Sequence, residues 1–368
     1  MFPADDGGFL KQKANGAKDM CNIAGYVGKR RAAPILIEML KKQETFDGAM
    51  ATGIATIHEG RLYYRKIARD LETFLKETDA YDLPGNIGII HSRPDRFPED
   101  FAHPHISEDG KLAMVMNGTL KRGDKYSDLR DKTARLTEER GYTYAAKTKD
   151  GFENYALLSD GSHVPAGEHA AHLTAMYKAD GYSYTEAFAK AIEDSYSDLV
   201  GVMITANEPD KIWVGKVSRP MNALVGDGEV FIASAEFAFD GVAEGNFFTL
   251  PPLNICEITA EGVKITNTTI STEKIAPITP DALIKAREIM CSLMREKATT
   301  GGCVFDDFEI LLGERRAEIF DNPSTYSLQT EIIYHILYDL HKKGLLKSEE
   351  RLYPEGPKMR RYMWIDRF

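Results

Sequence analysis

With 368 residues, 43% of them apolar and 28% charged, the chain has the length for one large domain plus a small one and the composition of a globular protein. A net charge of −10 argues against a surface built to track nucleic-acid phosphates, which needs surplus Lys and Arg. No stretch approaches the ~20 uninterrupted apolar residues of a membrane-spanning helix, and residues 1–20 lack the apolar core of a secretory signal, so a cytoplasmic chain with no membrane partner is expected.

Residues 1–20 are polar, Gly-rich and aperiodic, and read as a leader, a propeptide or a misassigned start. Directly after Cys21, Ile23–Val27 has the length and character of a strand ended by Gly28, and Pro34 opens a helix with Ile35, Leu36, Met39 and Leu40 on one face. Two strands joined near Glu59-Gly60 follow, then one ending at Arg93 and one ending at Asn117. The polar residues 121–152 read as a long excursion, and helices are expected over His169–Lys178 and from Tyr184 to about Ser197. Turns at Asn207–Asp210 and Asp227-Gly228 mark two more hairpins. Grouped antiparallel strands and grouped helices predict an α+β layered domain over about residues 21–275.

The Pro-rich stretch near residue 280 predicts a boundary, and residues 281–368 a small module. There Leu328, Ile332, Ile333, Ile336, Leu337 and Leu340 form an apolar helical stripe, with Ser327 as N-cap and Gly344 as the stop. Two short strands around Pro354–Pro357 then make the module helical or winged-helix-like. Its basic end suits an acidic protein partner better than nucleic acid.

Cys21, Cys256, Cys291 and Cys303 are dispersed without a CxxC pair, which predicts no disulfide and no zinc. His103-Pro104-His105 has no third ligand at helical spacing, so no metal is expected, and nothing in the sequence calls for a cofactor. Cys21 has different neighbours. A thiol with a pKa near 8.5 needs a base to attack an amide, and an α-amine serves when the Cys is itself the first residue. Asp19-Met20-Cys21-Asn22 offers that route, whether translation starts at Met20 or residues 1–20 are cut away.

The run Cys21-Asn22-Ile23-Ala24-Gly25-Tyr26-Val27-Gly28 resembles the opening of class II, N-terminal-nucleophile glutamine amidotransferases, above all the glutaminase domain of glucosamine-6-phosphate synthase. Phe46–Ala55, His91–Leu120 and Val230–Phe239 resemble three further blocks of that family, in the same order over about residues 21–240. The resemblance implies a four-layer α/β/β/α sandwich in which Cys21 attacks the glutamine side-chain amide and ammonia goes to an acceptor. It also implies an oxyanion hole from the Asn117 side chain and the Gly118 N–H, where the dipeptide by itself reads as an ordinary turn. Arg93 matches the arginine that binds the glutamine carboxylate. Asp160, with Glu168 behind it, is the nearest match to the acid that binds the ammonium. Pro94-Asp95-Arg96 and Thr45 depart from the family pattern, and no acceptor domain is visible after about residue 275, which implies a separate ammonia-accepting partner. Two rival readings remain: a glutamine sensor acting through its C-terminal module, and an amidohydrolase for another γ-glutamyl compound.

Overall fold

The computed structural model describes residues 21–43, 50–93, 98–120, 124–149, 155–195, 197–270, 274–351 and 359–365. The leader, Thr45 to Ala49, Pro94-Asp95-Arg96 and the Pro354–Pro357 turn lie outside these residues. Cys21 leads into β1 (Asn22–Val27), buried along its whole length. α1 (Ala32–Gln43) starts two residues before Pro34, which sits in the first turn where a missing N–H costs nothing. β2 (Ala51–His58) and β3 (Arg61–Ile67) form a hairpin whose turn residues Glu59 and Gly60 have φ of 48° and 69°, the left-handed pair that a type I′ turn requires. α2 (Leu71–Glu77) is capped by Asp70, whose side chain accepts from the Thr73 N–H.

β4 (Ile87–Arg93), β5 (His105–Ile106) and β6 (Leu112–Leu120) come next. β6 runs past Asn117, where the sequence suggested an end, and Gly118 continues it at a φ of +134°. The expected excursion after it contains a helix, α3 (Asp124–Glu139), followed by the short pair β7 (Ala156–Leu157) and β8 (His163–Val164). Charged residues dominate α3, so its apolar face is too thin to read as a helical stripe. α4 (Ala166–Ala179) and α5 (Tyr184–Ser195) match the two expected helices within a few residues. Then come β9 (Ser197–Thr205), β10 (Glu208–Lys216), β11 (Asn222–Val225), β12 (Val230–Ala233), β13 (Asn246–Thr249), β14 (Asn254–Thr259) and β15 (Gly262–Thr269).

Among the described residues thirteen of these strands form two antiparallel sheets, ordered β13-β11-β12-β1-β4-β2-β3 and β15-β14-β10-β9-β6-β5, while β7 and β8 pair with each other. Alternation along each strand decides what lies between them. Ile23 and Val27 of β1, Ile87 and Ile89 of β4, and Ala113 and Val115 of β6 meet in one inter-sheet core. Ala24, Tyr26 and Ile90 point the other way, onto Leu36, Met39 and Leu40 of α1. Leu112, Met114 and Met116 likewise leave the inter-sheet core and pack with Ala170 of α4 and Phe188 of α5. The chain is therefore a mixed helix-and-sheet structure with apolar packing on both faces of both sheets. No helix among the described residues is long and apolar enough to cross a membrane.

The tail opens with α6 (Pro280–Glu296), with Thr279 as N-cap and Pro280 in its first turn. α7 (Phe305–Glu314), α8 (Arg316–Ile319) and α9 (Gln329–Lys342) follow. Ser327 does not cap α9: it lies inside a 3₁₀ turn, Pro323–Leu328, and the cap position falls to Leu328. Gly344, at φ 65°, follows the end of α9. β16 (Leu346–Arg351) and β17 (Met359–Trp364) pair antiparallel, and Cys303, just before α7, bridges to Tyr362 of β17. Met290, Phe308, Leu312, Ile333, Leu337 and Tyr362 make the tail's core, and Ala235 and Phe237 from the sheet part are buried in the same cluster.

Candidate active site

Strand parity places three of the sequence-predicted residues on one face. Cys21 shares its side of the chain with Ile23 and Val27, Arg93 with Ile87 and Ile89, and Asn117 with Ala113 and Val115, all of which line the inter-sheet core. The β1–β4 register pairs Asn22 with Ser92, so one step further along the ladder sets Cys21 beside Arg93. Asn117 reaches across from the second sheet: its Nδ2 donates to the Cys21 carbonyl at 3.0 Å, and the Cys21 N–H points to its Oδ1 at 3.5 Å. Cys21, Arg93 and Asn117-Gly118 thus gather at one end of the inter-sheet core, where Cys21 is half-buried and Arg93 and Asn117 are buried.

Each is held by its surroundings. The Arg93 guanidinium donates to the Phe101 carbonyl at 3.3 Å and to the Tyr155 hydroxyl at 3.5 Å. His91, two residues earlier on the same face, contacts the Met116 carbonyl at 3.2 Å and so ties the two sheets together beside Asn117. Burial, helped by the Arg93 charge, pushes the His91 imidazole down to about 3, so it is neutral at ordinary pH. His103 packs on His91 with ring centroids 4.0 Å apart and edge-on against His105 at 4.5 Å, and burial holds both well below the usual histidine range. The segment they occupy fits only because its neighbours are glycines: a Cβ on Gly53 would lie 2.0 Å from the His103 carbonyl oxygen, and one on Gly167 would lie 2.7 Å from both rings. Lys66 anchors the same segment by donating to the carbonyls of Asp100 and Ala102.

The two carboxylates considered for an ammonium lie in different settings. Asp160 sits in the turn between β7 and β8, half-exposed, accepting from the Ser162 N–H at 2.9 Å and facing Lys147 at 3.4 Å. Glu168, in the first turn of α4, is buried, and its two oxygens accept from the backbone N–H groups of Ala145 and Ala146. Desolvation raises the Glu168 pKa, whereas the Ser162 hydrogen bonds lower that of Asp160. The other three cysteines are buried, and burial pushes the Cys256 thiol up to about 11 and the Cys303 thiol up to about 12. Neither offers a thiolate near neutral pH.

Sequence reasoning missed the brace behind Cys21. The Ile23 N–H donates to Ser234 Oγ at 3.2 Å, and its carbonyl accepts from the Ser234 N–H and from Gln43 Nε2, at 3.0 and 3.1 Å. Gln43 Oε1 accepts in turn from the Ala235 N–H at 3.1 Å. A signal was present: Gln43 continues the Leu36, Leu40 line of α1 by one turn, a polar residue at a core position.

No family model matches the chain. It is 29% identical over 223 residues to the glutamine–fructose-6-phosphate aminotransferase (isomerizing) of Pyrococcus horikoshii, covering 60% of this chain and 33% of that protein. With the enzyme of the same name from Clostridium tetani the identity is 32% over 219 residues, covering 58% of this chain and 31% of the relative. The chain therefore spans about a third of the length of the curated relatives it matches. Among solved structures, the glutamine phosphoribosylpyrophosphate amidotransferase of B. subtilis superposes with a TM-score of 0.56 at 17% identity, over 75% of this chain and 58% of that one. A structure described as the allosteric regulatory enzyme of purine biosynthesis gives 0.55 at 16% identity, with the same coverage. In sequence the chain is similar to the glutaminase domains of glutamine–fructose-6-phosphate aminotransferases, and in fold to the N-terminal-nucleophile glutamine amidotransferases.

Proposed function

We propose that this chain releases ammonia from glutamine with Cys21 as an N-terminal nucleophile. The observation that carries the reading is the meeting of Cys21 with Asn117 across two sheets, beside buried Arg93. With residues 1–20 absent, the Cys21 amine takes the thiol proton, and the thiolate adds to the side-chain amide carbon of glutamine. Asn117 Nδ2 has two hydrogens, one on the Cys21 carbonyl and the other for the developing oxyanion, with the Gly118 N–H as second donor. The C–N bond breaks, ammonia leaves with the proton, and water then cleaves the γ-glutamyl thioester to glutamate. Arg93 supplies the planar fork for the substrate carboxylate. Of the two carboxylates, Asp160 keeps the more exposed oxygens and is the proposed ammonium partner, because both Glu168 oxygens are engaged.

In this reading residues 21–275 form the four-layer sandwich and residues 281–368 a winged-helix-like module. The order α6, Cys303 bridge, α7, α9, β16, β17 supports the latter. The match spans only about a third of each relative's length, and ammonia made here would pass to an acceptor protein in the cytoplasm. Intact mass and glutamine turnover on one preparation test the mechanism. Active protein should begin at Cys21, and full activity in protein that keeps residues 1–20 would rule out the Cys21 amine as base.

A further inference from the structure

α9 carries Glu331, His335, Tyr338 and Lys342 at spacings of four, three and four, one stripe along the helix, while Ile333, Ile336, Leu337 and Leu340 enter the tail's own core. Every residue of that polar stripe meets the sheet part. Glu331 pairs with Lys216, whose fully buried ammonium also donates to the Leu250 carbonyl at 2.8 Å. His335 Nδ1 lies 3.1 Å from Glu236, and Asp240 accepts from the Tyr338 hydroxyl at 2.9 Å and from Lys342 at 3.3 Å. The Phe237 ring stands 5.0 Å from Tyr338 and 5.3 Å from His341. α9 therefore grips residues 236–240 with charge, hydrogen bonds and an aromatic contact together.

The gripped segment continues directly from Ser234 and Ala235, the residues that brace Ile23. The β1–β12 ladder pairs Ala24 with Ala233 and is recorded no further toward Cys21. From there on, the brace of Ser234 with Gln43 replaces the ladder on that side of β1. We propose that the C-terminal module is an intramolecular clamp on the strand that carries Cys21. His335, Tyr338 and Lys342 act as positioning residues through segment 234–240, and Gln43 is the crosspiece. The inference rests on Cys21 being the reactive residue, as proposed above. Nucleophilic attack tolerates little misplacement, so a brace two residues from the sulfur sets how well it is aimed. The stripe is also the kind of face that a helix-turn-helix lays in a DNA groove, and here its polar groups are engaged by the protein's own chain.

The test uses the full chain and two readouts that need no glutamine: hydrogen exchange of the 22–27 and 230–235 amides, and the alkylation rate of Cys21 by iodoacetamide, followed on its peptide. Neither depends on the glutaminase reading, so failure of the clamp and failure of that reading are told apart. The double variant His335→Ala/Tyr338→Phe should speed exchange at the start of β1 about tenfold and shift Cys21 alkylation several-fold. Gln43→Met should do the same with α9 still protected, and Phe308→Leu, which loosens the packing on Tyr362 of β17, should do neither. If the double variant proves unstable, Tyr338→Phe alone removes one hydrogen bond and gives the same signs more weakly. The proposal is overturned if α9 exchanges faster while β1 and Cys21 keep wild-type rates, or if Phe308→Leu moves β1 equally.

Discussion

At the scale of single residues, the candidate site is a consequence of strand parity. Cys21 just before β1, Arg93 on β4 and Asn117 on β6 hold positions that all face the inter-sheet core, at one end of it. Asn117→Ala should lower kcat for glutamine hydrolysis by ~10²–10³ with little change in KM, because an oxyanion donor acts mainly on the transition state. Arg93→Lys should instead raise KM by ~10-fold or more, since a point charge replaces a bidentate fork. Steady-state kinetics separates the two, and a silent Arg93→Lys would remove Arg93 from the substrate site. His91 supplies neither proton nor charge in this scheme. Burial keeps it neutral, and its role is to join the Met116 carbonyl to β4.

At the scale of elements, α9 works on two sides: its apolar stripe builds the tail and its polar stripe contacts the sheet part. Glu331→Ala leaves the Lys216 ammonium buried with only the Leu250 carbonyl, and should cost ~3 kcal/mol in denaturant unfolding of the full chain. A change below about 0.5 kcal/mol would mean that Lys216 finds water on its own. The His335–Glu236 contact has a defined pH sign. The hydrogen bond to Glu236 raises the His335 pKa, opposed by partial desolvation and helped by the charges of Asp339 and Glu331. Its contribution is full below the unfolded value of about 6.5 and disappears as pH rises through the folded value. His335→Gln should flatten that part of the stability profile.

At the scale of the whole molecule, the tail and the sheets share a core, since Ala235 and Phe237 lie among the residues of α6, α7 and α9. The sequence suggested a boundary near residue 280 and a small module after it. Removing residues 281–368 uncovers Phe237 and strips Lys216 of its carboxylate, so the truncated chain should be poorly soluble and melt well below the full chain. Acid should also unfold the protein early. His91 and His169 are pushed down to about 3 and His103 and His105 well below their usual range, all by burial. Unfolding therefore takes up protons once pH drops below about 6.5, and each one costs ~1.4 kcal/mol per pH unit from there toward the folded values. Melting temperatures between pH 7.5 and 5.5 should fall with a slope above that of one proton.

Local signals were enough for much of this. Alternation and turn residues located β1 to β4 and the hairpins of β9 to β12, because a half-dozen neighbours along the chain decide them. The block around Cys21 stood out through its resemblance to a known family rather than through periodicity. β13 to β15 were not anticipated, and α3 was hidden by its charges. What the sequence could not supply is every feature that depends on partners far along the chain. Gln43 finds Ile23 and Ala235, which are 20 and 192 residues away, and Lys216 finds Glu331 at 115. A buried polar side chain must be paired wherever the fold brings a partner, and that partner is named only once the sheets and helices have packed.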